Sequence, residues 1–117
     1  MNFICPWPPK ELNPNSRTHW AKKMKVAKKY RRDCYFSAKS SGLKPLKGLV
    51  LFGLIFSPPD NRKRDDDNLL AAFKSGRDGI AEALGADDNQ FITQFEVRKL
   101  ATCGVHVFIS EIADPNF

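Results

Sequence analysis

An uninterrupted apolar run at residues 49–56, "LVLFGLIF", is the feature that most restricts the folds open to this chain. Eight residues without a polar side chain, rich in Leu, Val, Ile and Phe, are typical of a strand buried on both faces. A helix that crosses a membrane needs about 20 such residues, and no run in the chain approaches that length. The sequence therefore predicts a buried central strand and no membrane span.

Three other segments have the composition of strands. Residues 2–5, "NFIC", form a short apolar stretch that "PWPP" ends. Residues 91–100 alternate in side-chain type, and residues 104–112 contain a second strand-like run. The residues "ATCG" between these two runs predict a hairpin.

A long helix is predicted at residues 19–40, with Ser16 or Thr18 as its N-cap. Its apolar residues recur every three or four positions, so they form one stripe along the helix: Trp20, Met24, Ala27, Tyr30, Cys34 and Ala38. We expect this stripe to face the core, and we expect Trp7 and Trp20 to be packing residues. The opposite face carries lysine and arginine.

A second helix is predicted at residues 68–84, with Gly85 as its C-terminal cap. Ser75 and Gly76 have low helix propensity, so we expect the helix to break there. The resulting order, β-α-β-α-β-β, predicts an α+β fold: a small mixed or antiparallel sheet of about four strands with helices packed on it. The length of 117 residues fits a single domain, 1–117.

The charge of the chain is divided between its two halves. Residues 1–50 contain 12 Lys and Arg and 2 acidic residues, whereas residues 51–117 contain 7 basic and 11 acidic residues. A net charge of +10 in the first half is typical of a surface that binds a polyanion. The three cysteines are far apart and form no CxxC pair, which favours a reducing cytoplasm over a disulfide framework or a zinc site.

The acidic residues begin with "RKRDDDNL" at residues 62–69. If this segment is helical, Asp65 and Asp67 lie about 200° apart, so a metal-binding pair requires an extended segment. In an extended segment the two acids project to the same side, and the helix then begins at Asn68 with Asp67 as its N-cap. Such a pair of carboxylates fits Mg²⁺ or Mn²⁺, which prefer oxygen ligands. The other interpretation is that these acids only cap the helix and interact with its dipole.

Three motifs together resemble the RusA-type Holliday junction resolvases, a family often carried by phages. They are "PWPP" after the first strand, "RKRDDDNL" before the second helix and "ADDNQ" before the last two strands. The resemblance implies a homodimer that cuts four-way DNA junctions by paired nicks during recombination and repair. It also implies Mg²⁺ or Mn²⁺ as cofactor.

The resemblance carries over to particular residues. The metal-binding aspartates of the family correspond to Asp65, Asp67 and Asp88 of this chain. The family lysine that follows the first acidic motif is replaced by Ala71, and Lys74 is our candidate for its role. A straight helix over residues 68–84 spans about 25 Å, so Asp88 joins the other two acids only if that helix breaks or if Asp88 serves the partner subunit's site.

DNA phosphates are the expected ligands of the basic residues of the long helix and of two loops. The candidates are Arg17, Lys22, Lys25, Lys29, Arg32, Arg62, Lys63 and Arg64. Two alternatives remain open at this stage. One is a basic DNA-binding protein without catalysis, and the other is a metal-dependent nuclease that acts on other branched DNA.

Overall fold

The apolar run forms the second strand of a four-stranded sheet. The computed structural model describes residues 1–42 and 44–112, except for the side chain of Asp88. Its strands are β1 (Asn2–Cys5), β2 (Val50–Ser57), β3 (Phe91–Val97) and β4 (Gly104–Glu111). Its helices are α1 (Trp20–Ser40), α2 (Asp66–Ala72) and α3 (Lys74–Leu84), with 3₁₀ turns at Lys10–Leu12 and Asp88–Gln90. The predicted α+β class is confirmed, and the second predicted helix is present in two parts.

The strands lie in the order β1-β4-β2-β3, and the sheet is mixed. β2 runs parallel to β3, with Val50 opposite Phe91, and antiparallel to β4. The predicted hairpin between the last two strands is wrong, because β2 separates β3 from β4. Alternation along a strand shows which side chains share a face, but it does not identify the neighbouring strand.

Only one face of the sheet carries the core, which also includes buried residues of α1, α2 and α3. The side chains of β2 on this face are buried: Val50, Phe52, Leu54 and Phe56. Leu51 and Ile55 point to the other face and are half-buried. The prediction that β2 is buried on both faces is therefore wrong. On this open face of the sheet, Ile4 and Phe108 are 44% and 41% exposed.

α1 and α3 pack closely because two glycines of α3 face α1. A Cβ atom at Gly79 would overlap the carbonyl oxygen of Arg31, and one at Gly76 would lie 2.8 Å from the Tyr30 ring. Side chains at these positions would force the two helices apart. The glycines that lower local helix propensity are therefore required for packing.

The predicted interruption of the second helix is present, but it lies at Phe73 rather than at Ser75–Gly76. Phe73 is almost fully buried, and its ring makes edge contacts with Phe56 and Tyr30 at centroid distances of 5.8 and 6.1 Å. Gly85 ends α3 in the left-handed conformation, with a φ of 63°, as predicted.

α1 has nearly the predicted bounds, but only its C-terminal half packs into the core. Tyr30, Cys34 and Ala38 are buried, whereas Trp20 is 67% exposed and Met24 is 63% exposed. The expectation that Trp20 packs is therefore wrong, since the helix reaches the core only from about Tyr30 onward. Among the helices that the structure describes, none combines the length and hydropathy that crossing a bilayer requires.

Candidate nucleic-acid interface and acidic helix start

A cleft of about 720 Å³ lies at the end of the sheet where β1 and β2 finish. It brings together segments that are far apart in the sequence: the "PWPP" residues, the loop before α1, the basic loop after β2 and the first turns of α2. The residues that line it are Trp7, Pro8, Pro9, Lys10, Asn13, Asn15, Ser16, Thr18, Pro59, Arg62, Lys63, Arg64, Asp65, Asn68, Leu69 and Ala72.

The "PWPP" wall of the cleft is fixed from behind by the core. The Tyr30 hydroxyl donates a hydrogen bond to the carbonyl oxygen of Pro6. Burial raises the pKa of Tyr30, so this hydroxyl stays protonated and remains a donor. The Trp7 ring contacts Phe56 edge-on at 6.3 Å, which confirms that Trp7 is a packing residue. The wall is therefore preorganised by contacts that do not depend on a ligand.

The basic loop is folded around Asp60, which the sequence analysis did not single out. Arg64 Nη2 lies 2.8 Å from Asp60 Oδ1, and Arg62 Nε lies 3.3 Å from Asp60 Oδ2. The backbone N–H of Arg62, followed by the Arg64 side chain, holds the pKa of Asp60 below its ordinary value. The spacing D-x-R-x-R was the available signal, because it places both arginines within reach of one carboxylate.

Of the three cations in this loop, Arg62 and Arg64 form ion pairs with Asp60, whereas Lys63 does not. Arg64 is largely buried, and its guanidinium lies 5.3 Å from the centre of the Trp7 ring. Lys63 is exposed, lines the cleft and has no ion-pair partner among residues 1–42 and 44–112. Its ammonium group is therefore available to an anionic ligand in the cleft.

The three consecutive aspartates form the start of α2. Asp65 is the N-cap, with φ −78° and ψ 123°, and its Oδ1 accepts the backbone N–H of Asp67 at 2.9 Å. The helix begins at Asp66, so the predicted extended segment with Asp67 as N-cap is wrong. An Asp N-cap followed by acids in the first turn matches the preference of helix starts for negative charge.

The carboxylates of Asp65, Asp66 and Asp67 are all exposed. None of them has an ion-pair partner in the described part of the chain, because the neighbouring arginines bind Asp60. Asp65 lines the cleft and Asp67 lies outside its lining. Within the described residues and side chains, no three His, Cys, Asp or Glu residues are grouped so that they could hold a metal ion.

Asp88 begins the 3₁₀ turn that leads into β3, and its side chain lies outside the described residues. The turn is held by Gln90, which accepts the Asp87 N–H at 2.8 Å and donates to the Gly48 carbonyl at 2.9 Å. Because Phe91 pairs with Val50, this turn lies where β2 begins, whereas the cleft lies where β2 ends. An eight-residue strand separates these ends by about 23 Å.

Lys74 is the first residue of α3, after the interruption at Phe73. Its ammonium group lies 3.7 Å from Asp78 Oδ1, one turn further along α3, and its side chain is 71% exposed. The expectation that Lys74 shares a helical face with Asp67 assumed a single straight helix, and the interruption at Phe73 removes that assumption. A catalytic role for Lys74 stays a prediction.

The predicted phosphate-binding residues of α1 are all exposed: Lys22, Lys25, Lys29 and Arg32. Lys29 forms an ion pair with Asp33 at 2.9 Å, and Arg31 forms one with Glu82 at 3.0 Å. Exposed pairs of this kind contribute little to stability, so they leave both cations available to a polyanion. Arg17 is exposed between two residues that line the cleft, Ser16 and Thr18. Arg17 therefore adds a cation at the margin of the cleft.

No family model matches the chain. A protein of Xylella fastidiosa (strain Temecula1), described as uncharacterized, is 42% identical over 97 residues, which make up 80% of this chain and 63% of that protein. The chain thus spans less than two thirds of the length of this relative. The description of the relative states no activity and no ligand.

Proposed function

We propose that this protein is a metal-dependent endodeoxyribonuclease of the RusA type that resolves four-way DNA junctions in recombination and repair. The observation that carries the proposal is the cleft, because it places a basic loop and the N-terminus of an acidic helix beside the "PWPP" wall. These are two of the three motifs on which the resemblance rests, and they lie about 50 residues apart in the sequence.

The basic residues of α1 and of the loop before it would bind the phosphates of DNA. Lys22, Lys25, Lys29 and Arg32 of α1 would bind phosphates together with Arg17, and such contacts carry no sequence information by themselves. Lys63 would bind phosphate at the cleft that it lines, and Arg62, whose ion pair with Asp60 is exposed, stays available to phosphate as well. Arg64 is largely buried and mainly holds the loop in shape. A structure-selective enzyme, rather than a base-specific one, fits this set of contacts.

The exposed carboxylates at the start of α2 are the residues that would hold Mg²⁺ or Mn²⁺. Asp65 retains the oxygen that does not cap the helix, and Asp67 retains both of its oxygens, so hard anionic donors remain free on one helical turn. Asp65 and Asp67 would hold the ion, and Asp88, whose turn lies at the other end of β2 within the same chain, would join them as the third ligand only from the partner subunit. A bound divalent ion would supply Lewis acidity toward the scissile phosphate and a more acidic water.

The residues of the chain itself would carry out the rest of the chemistry. The cleft orients the DNA strand between the "PWPP" wall and the start of α2. Lys63 is the best-placed cation to stabilise the extra negative charge that develops on the phosphate in the transition state, because it is not engaged elsewhere. We favour Lys63 over Lys74 because Lys63 lines the cleft together with Asp65, whereas Lys74 lies outside its lining.

A homodimer is part of the proposal, since two symmetric nicks require two sites and each chain supplies one. The open face of the sheet is the surface that we assign to the second copy. This face exposes Ile4, Ile92 and Phe108. Among the side chains of β2 and β3 that point to this face, Glu96 is the charged one. Two chains of charge +6 repel each other least where the contact surface is apolar and nearly neutral. We assign the protein to the cytoplasm, where its three free cysteines would stay reduced.

A DNA-binding protein without catalysis is the second candidate. Two observations favour it: Asp65 already caps α2, and the turn that contains Asp88 lies at the opposite end of β2 from the cleft. In this alternative the acids serve only the helix. A nuclease that prefers flaps or other branched DNA would use the same surface as a resolvase.

Labelled four-way junction, flap and duplex DNA, each incubated with and without Mg²⁺, separate these candidates. A resolvase nicks the junction on two opposed strands only when Mg²⁺ is present, and it leaves the duplex intact. Preferential cleavage of the flap would identify the other nuclease. Binding of all three DNAs without any cleavage in Mg²⁺ or Mn²⁺ would leave only the DNA-binding alternative.

Mixing two inactive variants tests whether Asp88 acts in the partner subunit's site. Asp67→Asn and Asp88→Asn subunits, refolded together, form heterodimers. If both residues act within one chain, each heterodimer site carries one lesion and nicking stays absent. If the sites are shared between subunits, one site contains both substitutions and the other contains none, so the mixture regains single nicks.

A further inference from the structure

The N-terminal half of α1 exposes two large apolar side chains that the core does not use. Trp20 is 67% exposed and Met24 is 63% exposed, although both belong to the stripe that continues into buried residues. They lie four residues apart, so they are neighbours on the same helical face. Trp is the largest apolar side chain, so an exposed Trp leaves more apolar surface in water than any other exposed residue does.

The Trp20 ring contacts the imidazole of the preceding residue at the start of α1. His19 is the N-cap of α1, and its Nδ1 accepts the backbone N–H of Ala21 at 3.2 Å. The imidazole and the Trp20 ring lie 5.6 Å apart with an interplanar angle of 31°. The capped start of α1 therefore carries a tilted pair of rings, and most of the Trp20 side chain is exposed to solvent.

The charges around Trp20 select the class of ligand. Residues 17–32 contain eight lysine and arginine residues and no acidic residue. In the part of the chain that the structure describes, Lys22, Lys23, Lys25 and Lys28 form no ion pairs. An exposed aromatic ring among unpaired cations matches the combination of stacking and phosphate contacts by which proteins hold unpaired nucleotides.

The position of Trp20 relates this surface to the cleft. Thr18 lines the cleft together with Asp65, and Trp20 follows it after two Cα–Cα steps of about 3.8 Å each. Trp20 therefore lies within about 8 Å of the cleft margin along the backbone. A nucleotide stacked on Trp20 would belong to the same DNA strand region that the cleft holds.

We infer that Trp20, supported by Met24 and His19, is a stacking site for an unpaired base of the bound DNA. This inference rests on the proposed function and extends it, because it assigns recognition of a branch point to an opened base rather than to the phosphates alone. Bases inside a duplex are paired and stacked on each other, so a Trp ring can stack on a base only where base pairing is broken. The site therefore gives preference for branched or single-stranded DNA over intact duplex.

The test compares affinities for three probes in EDTA, which prevents cleavage: a four-way junction, a fully paired duplex and an oligothymidine. The variants are Trp20→Ala, Trp20→Phe and the control Phe36→Ala, an aromatic residue of α1 that is 56% exposed and lies outside residues 17–32. Trp20→Ala should weaken binding of the junction and the oligothymidine by roughly 5- to 150-fold, the equivalent of one lost base stack. Its affinity for duplex should stay within about twofold, Trp20→Phe should retain most of the binding, and Phe36→Ala should bind as wild type.

Several outcomes would overturn the inference. Equal losses for all three probes would make Trp20 a general contact, and unchanged affinities would leave it without a role in binding. A change in the mass of Trp20→Ala in solution would assign the surface to a protein partner instead. Wild-type protein that binds none of the probes would overturn the proposed function as well, whereas wild type and Trp20→Ala that bind and nick junctions alike would overturn the stacking site alone.

Discussion

Replacing Asp65 separates its role as a helix cap from the metal-binding role that we propose. Asp65→Asn keeps a side-chain oxygen that can accept the Asp67 N–H, whereas Asp65→Ala removes this 2.9 Å hydrogen bond. Loss of an N-cap costs about 1 kcal/mol, which lowers the melting temperature of a domain of this size by about 4 °C. Both variants also lose the interaction of the carboxylate with the helix dipole, worth about 0.5 kcal/mol at an exposed first turn. We expect the melting temperature to fall by about 2 °C for Asn and by about 6 °C for Ala.

The assay pairs thermal unfolding with Mg²⁺-dependent nicking of a labelled four-way junction. If Asp65 holds the metal ion, both variants should lose nicking by more than about 100-fold at a temperature where both are folded. Activity and stability would then be uncoupled, because Asn is nearly as stable as wild type and yet inactive. Wild-type nicking by Asp65→Asn would refute this reasoning, since only the capping role would remain.

Two further predictions concern the surfaces that bind DNA and the second subunit. Lys25→Glu combined with Lys29→Glu should weaken the binding of junction and duplex DNA alike. The slope of log affinity against log salt concentration should become shallower by about 1.8, because two phosphate contacts are lost at about 0.9 each. An unchanged slope in affinities measured at several salt concentrations would remove α1 from the interface. Phe108→Glu should convert the dimer to a monomer in light scattering, while Phe36→Glu, which charges an exposed aromatic residue of α1, should keep the dimer mass. Equal masses for the two variants would contradict the assignment of the open sheet face.

The local sequence pattern predicted the helices and strands of this fold better than it predicted which strands pair with each other. The apolar run was correctly predicted as a strand, although only one of its two faces is buried, and α1 ended at the predicted residue. The hairpin prediction was wrong because nothing in "ATCG" shows that β2 inserts between β3 and β4. Likewise, Ser75 and Gly76 suggested a break by propensity, but the missing Cβ of Gly76 serves the contact with α1, and the helix is interrupted at Phe73 instead.

The candidate site was only partly predictable for a related reason. The acidic and basic residues of "RKRDDDNL" could be recognised from residue type, and they do line or adjoin one cleft. The conformation of the loop determines that Arg62 and Arg64 bind Asp60 and that Lys63 stays available, and this conformation could not be read from residue type. The exposure of Trp20 could not be read from its stripe, because the stripe does not show where along α1 the core begins.

Junction nicking by Asp67→Asn, compared with nicking by Asp66→Asn, decides whether the acids of α2 hold a catalytic metal ion. Both substitutions remove one charge and almost no volume from exposed residues of the first turn of α2, so folding and DNA binding should be equal. The account predicts that Asp67→Asn binds the junction but does not nick it in Mg²⁺, while Asp66→Asn nicks at close to the wild-type rate. Equal nicking by the two variants and wild type would contradict it, because the acids of α2 would then serve only the helix.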